Sequence, residues 1–159
     1  LKRLILILAG LLPLLIGFLF NHLIMTVWYY DHPAGVLIWL GLGMFVIWFL
    51  MGMFSTKAAA SGREALMLLN AAPFAAMVLV SIQTIIAGHF WGNIVGLSSQ
   101  FFFIPFMGIV TEVLTLLRTP IIDLMMISVI SFGLLILVSW SGMVFGERGS
   151  GRRRSRWYR

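Results

Sequence analysis

Apolar residues fill five long stretches of the chain, and polar residues collect in the short gaps between them. A helix needs about 20 apolar residues to cross a ~30 Å hydrocarbon core, and each stretch reaches that length. The first runs from about Leu4 to Val27. Pro13 lies inside it, removes one backbone donor and predicts a kink. Asn21 and His22 fall toward its far end. The connection from Trp28 to Ala34 is polar and aromatic, as a belt at headgroup level is. The second stretch, about Gly35 to Phe54, is rich in Trp, Phe and Met and carries Gly41, Gly43 and Gly52. A loop from Ser55 to Glu64 follows, with Lys57 and Arg63. The third stretch, about Ala65 to Gly88, contains Asn70, Pro73 and Gln83. Within it Ala72 and Ala76 stand one helical turn apart, which permits close helix contact, as does Gly43 on the second stretch.

The fourth stretch, about Ile94 to Leu117, is interrupted by Ser98-Ser99-Gln100, by Pro105 and by Gly108, and it holds Glu112. The turn Arg118-Thr119-Pro120 leads to the last stretch, about Ile121 to Phe145, with Asp123 near its start and Ser128, Ser131 and Ser139 along it. The runs are too long for the strands of a membrane barrel. The pattern therefore predicts an all-α fold: a polytopic integral membrane helical bundle of four to five transmembrane helices, one segment broken or re-entrant. It occupies residues 1–146, and an arginine-rich tail occupies 147–159.

Basic residues decide between four and five spans, because they concentrate on the cytoplasmic side. Five full spans put Lys2, Arg3, Lys57, Arg63 and Arg118 on one side and the tail arginines on the other, with no bias. If 94–117 enters and leaves on the same side, every basic residue except Arg118 shares one face. Irregular backbone at membrane depth is allowed where protein surrounds it, which suits the broken segment. The re-entrant path, with both termini cytoplasmic in the plasma membrane, is the expected topology. The opening run is longer than a signal-peptide core and lacks a clear small-residue cleavage site, so it reads as a retained span.

Composition agrees. Hydrophobic residues make up 61% of the 159 positions and charged residues 10%, too few to cover a water-facing surface. The net charge of +6 sits almost entirely in the tail, where six arginines oppose Glu147 alone. Arg152, Arg153, Arg154 and Arg156 follow a span directly, so they suit anionic headgroups or an acidic partner better than nucleic acid. There is no cysteine, hence no disulfide and no thiolate ligand.

Candidate chemistry is sparse. His22, His32, Asp31 and His89 fall on one side, but their spacing matches no metal motif, and no metal or cofactor is expected. There is no phosphate-binding glycine loop, no G-x-S-x-G and no H-E-x-x-H, so the chain does not read as an enzyme. Asn70, Gln83, Ser128 and Ser131 suit bonds between helices. Glu112 stands out, since a carboxylate within a span is expected to face protein or water. With Gln100, Arg118 and Asp123 it forms a candidate substrate or ion path. The sequence points to a small solute-binding or conducting subunit of a transport system. The alternative is a non-transporting accessory, scaffold or immunity protein acting through helix and tail contacts. A chain with so few spans leaves little room for a path of its own. Partners beyond the lipid bilayer would be other membrane subunits or a second copy, with a small-molecule ligand and no nucleic acid.

Overall fold

The computed structural model describes residues 2–26, 34–119 and 122–149. Asp31, His32 and the tail arginines Arg152, Arg153, Arg154 and Arg156 lie outside the described residues. The described secondary structure is helical throughout: α1 (Lys2–Gly10), α2 (Leu12–Thr26), α3 (Ala34–Ser55), α4 (Gly62–Ser81), α5 (Ile94–Phe101), α6 (Ile104–Leu116) and α7 (Leu124–Gly149). A single π-helical turn, Ile82–Ile86, extends α4. Among the described residues four spans are long and apolar enough to cross a membrane: Lys2–Thr26, Gly35–Ser55, Gly62–Ile86 and Leu124–Glu147.

The first span is interrupted at Leu11, two residues before Pro13, and continues as one span. Pro13 has no N–H to give Ala9, and its ring crowds the preceding turn. The chain tightens there, with the Leu11 amide donating to the Leu8 carbonyl at 3.1 Å, and α1 gives way to α2. Pro73, in contrast, sits inside α4 without interrupting it. The start of α4 is a variant of the capping box. The Ser61 hydroxyl accepts from the Glu64 amide at 3.2 Å, and the Glu64 carboxylate accepts from the Ala60 amide at 2.7 Å. The same carboxylate pairs with Arg3 at 2.6 Å, which places the start of α1 beside the turn that carries Lys57. The two faces of the bundle are named here the Lys57 side and the His89 side.

Close backbone contacts fix the order of helices. A Cβ on Gly10 would lie 2.6 Å from the Leu69 carbonyl oxygen, so α1 lies directly on α4. Gly52 meets the Ser139 carbonyl, Gly142 the Phe49 carbonyl and Gly146 the Met53 carbonyl, so α3 and α7 are in backbone contact near the Lys57 side. In lipid, with no hydrophobic drive between helices, such contacts supply the packing. Within this chain Gly43 packs on nothing: it faces outward, with no atom within 4 Å of its Cβ position. Gly41, two residues away and on a different face, does meet a neighbour, α6.

The fourth apolar stretch is two helices bent by 54°. The break falls at Phe102 and Phe103, just before Pro105, while Ser98-Ser99-Gln100 lies inside α5 and Gly108 inside α6. Both phenylalanines are buried. The Gly17 backbone touches the Phe101 carbonyl, so the bend sits inside the bundle, past the middle of the first span. From there α6 runs antiparallel to α3. The Pro105 carbonyl oxygen lies 3.0 Å from the Cβ position of Gly41, and the Gly108 position lies 2.6 Å from the Leu37 carbonyl carbon. Walking forward along α6 thus walks backward along α3, toward Ala34. Helix α3 starts on the His89 side, which is also where α5 begins. The pair enters and leaves on that side, and packs against all four spans.

Candidate functional site

One buried side chain anchors α5, the first half of the re-entrant pair. Gln83 sits in the π-helical turn and is fully enclosed. Its amide nitrogen donates to the Ser99 hydroxyl at 2.9 Å and to the Leu79 carbonyl at 3.2 Å. Its amide oxygen accepts from the Trp91 backbone at 2.9 Å and from the Gln100 amide at 3.0 Å. Both donors and both lone pairs are therefore used. The chain reaches this arrangement by reversing at Gly88, whose φ of +67° is a left-handed conformation that a residue with a Cβ adopts at a cost. The Asn93 side chain then caps α5, accepting from the Gly96 amide at 2.9 Å. An extra residue in a helical turn often marks a functional position; here it carries the side chain that anchors α5.

A second polar cluster lies nearer the Lys57 side and ties three spans. Asn70 of α4 accepts from the Trp48 ring nitrogen at 3.3 Å and donates to the Ser139 hydroxyl at 3.0 Å. It also donates to the Leu66 carbonyl at 2.9 Å. Ser139 passes a bond on to the Leu135 carbonyl at 2.7 Å. This is bonding between helices of the kind expected for Asn70 and Gln83.

The four residues of the expected path are placed differently from one another. Gln100 is half-buried within the Gln83 cluster. Glu112 does not face the bundle interior. It is exposed, on the side of α6 opposite the buried Phe106, Val110 and Leu114, and makes no hydrogen bond or ion pair among the described residues. The reason is rotational: two residues from Val110 is about 200° around the helix, so burying the apolar stripe turns Glu112 out. One turn beyond Gly108 it also reaches the level where α3 begins, close to the His89-side boundary. Arg118 ends α6. Its amide donates to the Thr115 carbonyl at 3.0 Å, the Thr119 amide donates to the Leu114 carbonyl at 3.1 Å, and Arg118 itself has a φ of +53°. That is a Schellman ending with arginine where glycine is usual. Asp123 caps α7, its carboxylate accepting from the Met126 amide at 2.7 Å. An Asp at the head of the last apolar stretch is the sequence signal for such a cap.

Ala72 and Ala76 have a use that the sequence reading missed. With Ala75 they line an apolar groove of about 320 Å³ between α1–α2, α4 and α5, whose opposite wall includes Ser98 and Phe102. Nothing in the sequence announces it, because the groove exists only once α5 folds back along α4. Among the described residues no group of three or more His, Cys, Asp or Glu is placed to hold a metal. No protein-family model, curated protein or solved structure matches the chain.

Proposed function

We propose that the protein is a small multi-pass membrane subunit that binds a solute at its re-entrant pair and serves a membrane transport system without catalysing a covalent step. The observation that carries this reading is the α5–α6 path. Two short helices meet inside the bundle, α5 anchored by Gln83 and α6 packed on α3. Broken helices of this kind are what transporters build sites around. On this reading Gln100 lines the inner wall, and Glu112, Arg118 and Asp123 flank the mouth on the His89 side. With no nucleotide-binding loop, the chain would draw energy from another subunit.

The Lys57 side is read as cytoplasmic, in the plasma membrane. Lys2, Arg3, Lys57 and Arg63 lie on that side, and Arg118 lies on the other. Lysine and arginine favour the cytoplasmic face. The chain has no cysteine, so Lys57→Cys and His89→Cys can each be labelled singly with an impermeant maleimide on intact cells. Labelling at position 89 alone is expected; labelling at position 57 alone would reverse the topology.

Native mass spectrometry of the protein in lipid particles tests the function. A small molecule that co-purifies with the wild type and is lost in Gln100→Leu is the expected result. The exposed Glu112, beside Leu116 at 81% exposure, favours a second reading: an accessory subunit that docks a partner helix there. A stoichiometric protein partner with no small molecule, released by Glu112→Gln, would establish it instead.

A further inference from the structure

The groove between α1–α2, α4 and α5 has features that together select an occupant. Small side chains hollow it: Ala72, Ala75 and Ala76 form one wall, while Leu11, Leu14 and Phe102 stand around them. Its depth is defined by α4, which starts at Gly62 on the Lys57 side. At 1.5 Å per residue, Ala72 lies about 15 Å in and Leu79 about 25 Å in. The groove therefore runs from the middle of the bilayer toward the His89-side leaflet.

Two serines, Ser98 and Ser99, break the apolar lining at its shallow end, and only Ser98 has a hydroxyl free to reach into it. Ser81, Ser99, Ser128, Ser139 and Ser141 each donate to a backbone carbonyl one turn back. Ser98 and Ser131 do not. Ser131 is sealed in the core, whereas Ser98 lines the groove and makes no hydrogen bond among the described residues. Its neighbour Ser99 is bonded to Gln83, which lies about 31 Å from the start of α4, at the far edge of a ~30 Å hydrocarbon core. Ligand sites are mostly apolar with a few placed polar groups, and this groove has that make-up.

The geometry points to a site for one acyl chain of a glycerolipid drawn from the His89-side leaflet. The Ser98 hydroxyl donates to the ester carbonyl at the hydrocarbon edge, and the chain runs inward along Ala75 and Ala72 toward Leu11. An ester carbonyl belongs at that depth, and a methylene chain needs no hydrogen bond from the alanine wall. The site is separate from the solute reading and stands without it.

The test reconstitutes the wild type, Ser98→Ala, Ala75→Trp and Leu137→Trp in particles containing equal ester-linked and ether-linked phosphatidylcholine. Leu137 is 58% exposed on α7 and lines no part of the groove, so it controls for an added tryptophan. After mild detergent release, native mass spectrometry counts the lipids kept by each chain. The wild type and Leu137→Trp keep one lipid, with ester preferred over ether by about fivefold, the worth of one hydrogen bond. Ser98→Ala keeps one lipid without that preference, and Ala75→Trp keeps none. Equal retention by Ala75→Trp and wild type, or no ester preference in the wild type, means annular lipid only and overturns the site. If Ala75→Trp does not yield folded protein, Ala75→Leu replaces it with the same criterion. Lipid counts do not report on a co-purified solute or partner, so this result and the transport reading fail separately.

Discussion

The Gln83 amide donates to the Ser99 hydroxyl at 2.9 Å, across the reversal that turns the third span into α5. One side chain thereby joins the end of a full span to a half-length helix that would otherwise have only its short apolar face to hold it.

Gln83→Leu keeps the volume and removes every side-chain bond. The Trp91 amide and the Gln100 side chain lose their acceptor. Unmet buried groups cost about 1–3 kcal/mol, so a loss of roughly 2 kcal/mol in stability is expected. Hydrogen exchange should quicken across residues 91–101 and not in α3 or α7. Unchanged exchange in α5 would show that apolar contact alone holds it.

Asn70 and Ser139 are bonded at 3.0 Å inside the bundle. A double-mutant cycle with Asn70→Ala and Ser139→Ala should give a coupling of about 0.6 kcal/mol, the average for such bonds in membranes. Strict additivity of the two single changes would contradict the bond.

Two glycines of α3 should respond in opposite ways. At Gly52 a Cβ meets the Ser139 backbone, which cannot retreat without moving α7. Gly52→Val should cost about 3 kcal/mol or prevent folding. Gly43→Val, on an open face, should shift stability by less than about 0.5 kcal/mol. Thermal unfolding of the two variants in one detergent decides it. A Gly43→Val effect on association rather than stability would locate a contact between copies on that face.

Arg118 is held at a φ of +53° to close the end of α6. Glycine adopts that conformation freely, so Arg118→Gly should raise stability by about 0.5–1 kcal/mol. A lowered unfolding midpoint would mean that the guanidinium contributes more than the backbone strain costs.

At the Lys57 side, Glu64 serves both the turn and Arg3. Arg3 is largely exposed, and an exposed ion pair is worth about 0–1 kcal/mol. Glu64→Ala should therefore cost about 1 kcal/mol, mainly through the lost cap, and Arg3→Ala less than half of that. Equal losses would assign the effect to the ion pair.

The apolar stretches by themselves determined the helical membrane class, the four spans to within a few residues and the presence of a broken fifth stretch. The reason is that lipid imposes a strong local rule: a span must be long, apolar and internally hydrogen-bonded. Pro13 and Pro105 were readable for a similar reason, since a missing N–H tends to disturb the turn before it, although Pro73 is carried inside α4 without a break. The capping box at Ser61 and the cap at Asp123 are equally local signals. What only the tertiary structure decided is which way each side chain faces. Glu112 is turned out because Phe106, Val110 and Leu114 are turned in. Gly41 meets α6 while Gly43 meets nothing, two residues along the same helix. Gln83 becomes an anchor because the chain reverses at Gly88 and brings Ser99, Gln100 and Trp91 to it. Those outcomes depend on contacts between residues eight or more positions apart, or on which stripe of a helix finds a neighbour. In a chain apolar on almost every face, periodicity does not mark that stripe, and packing alone selects it.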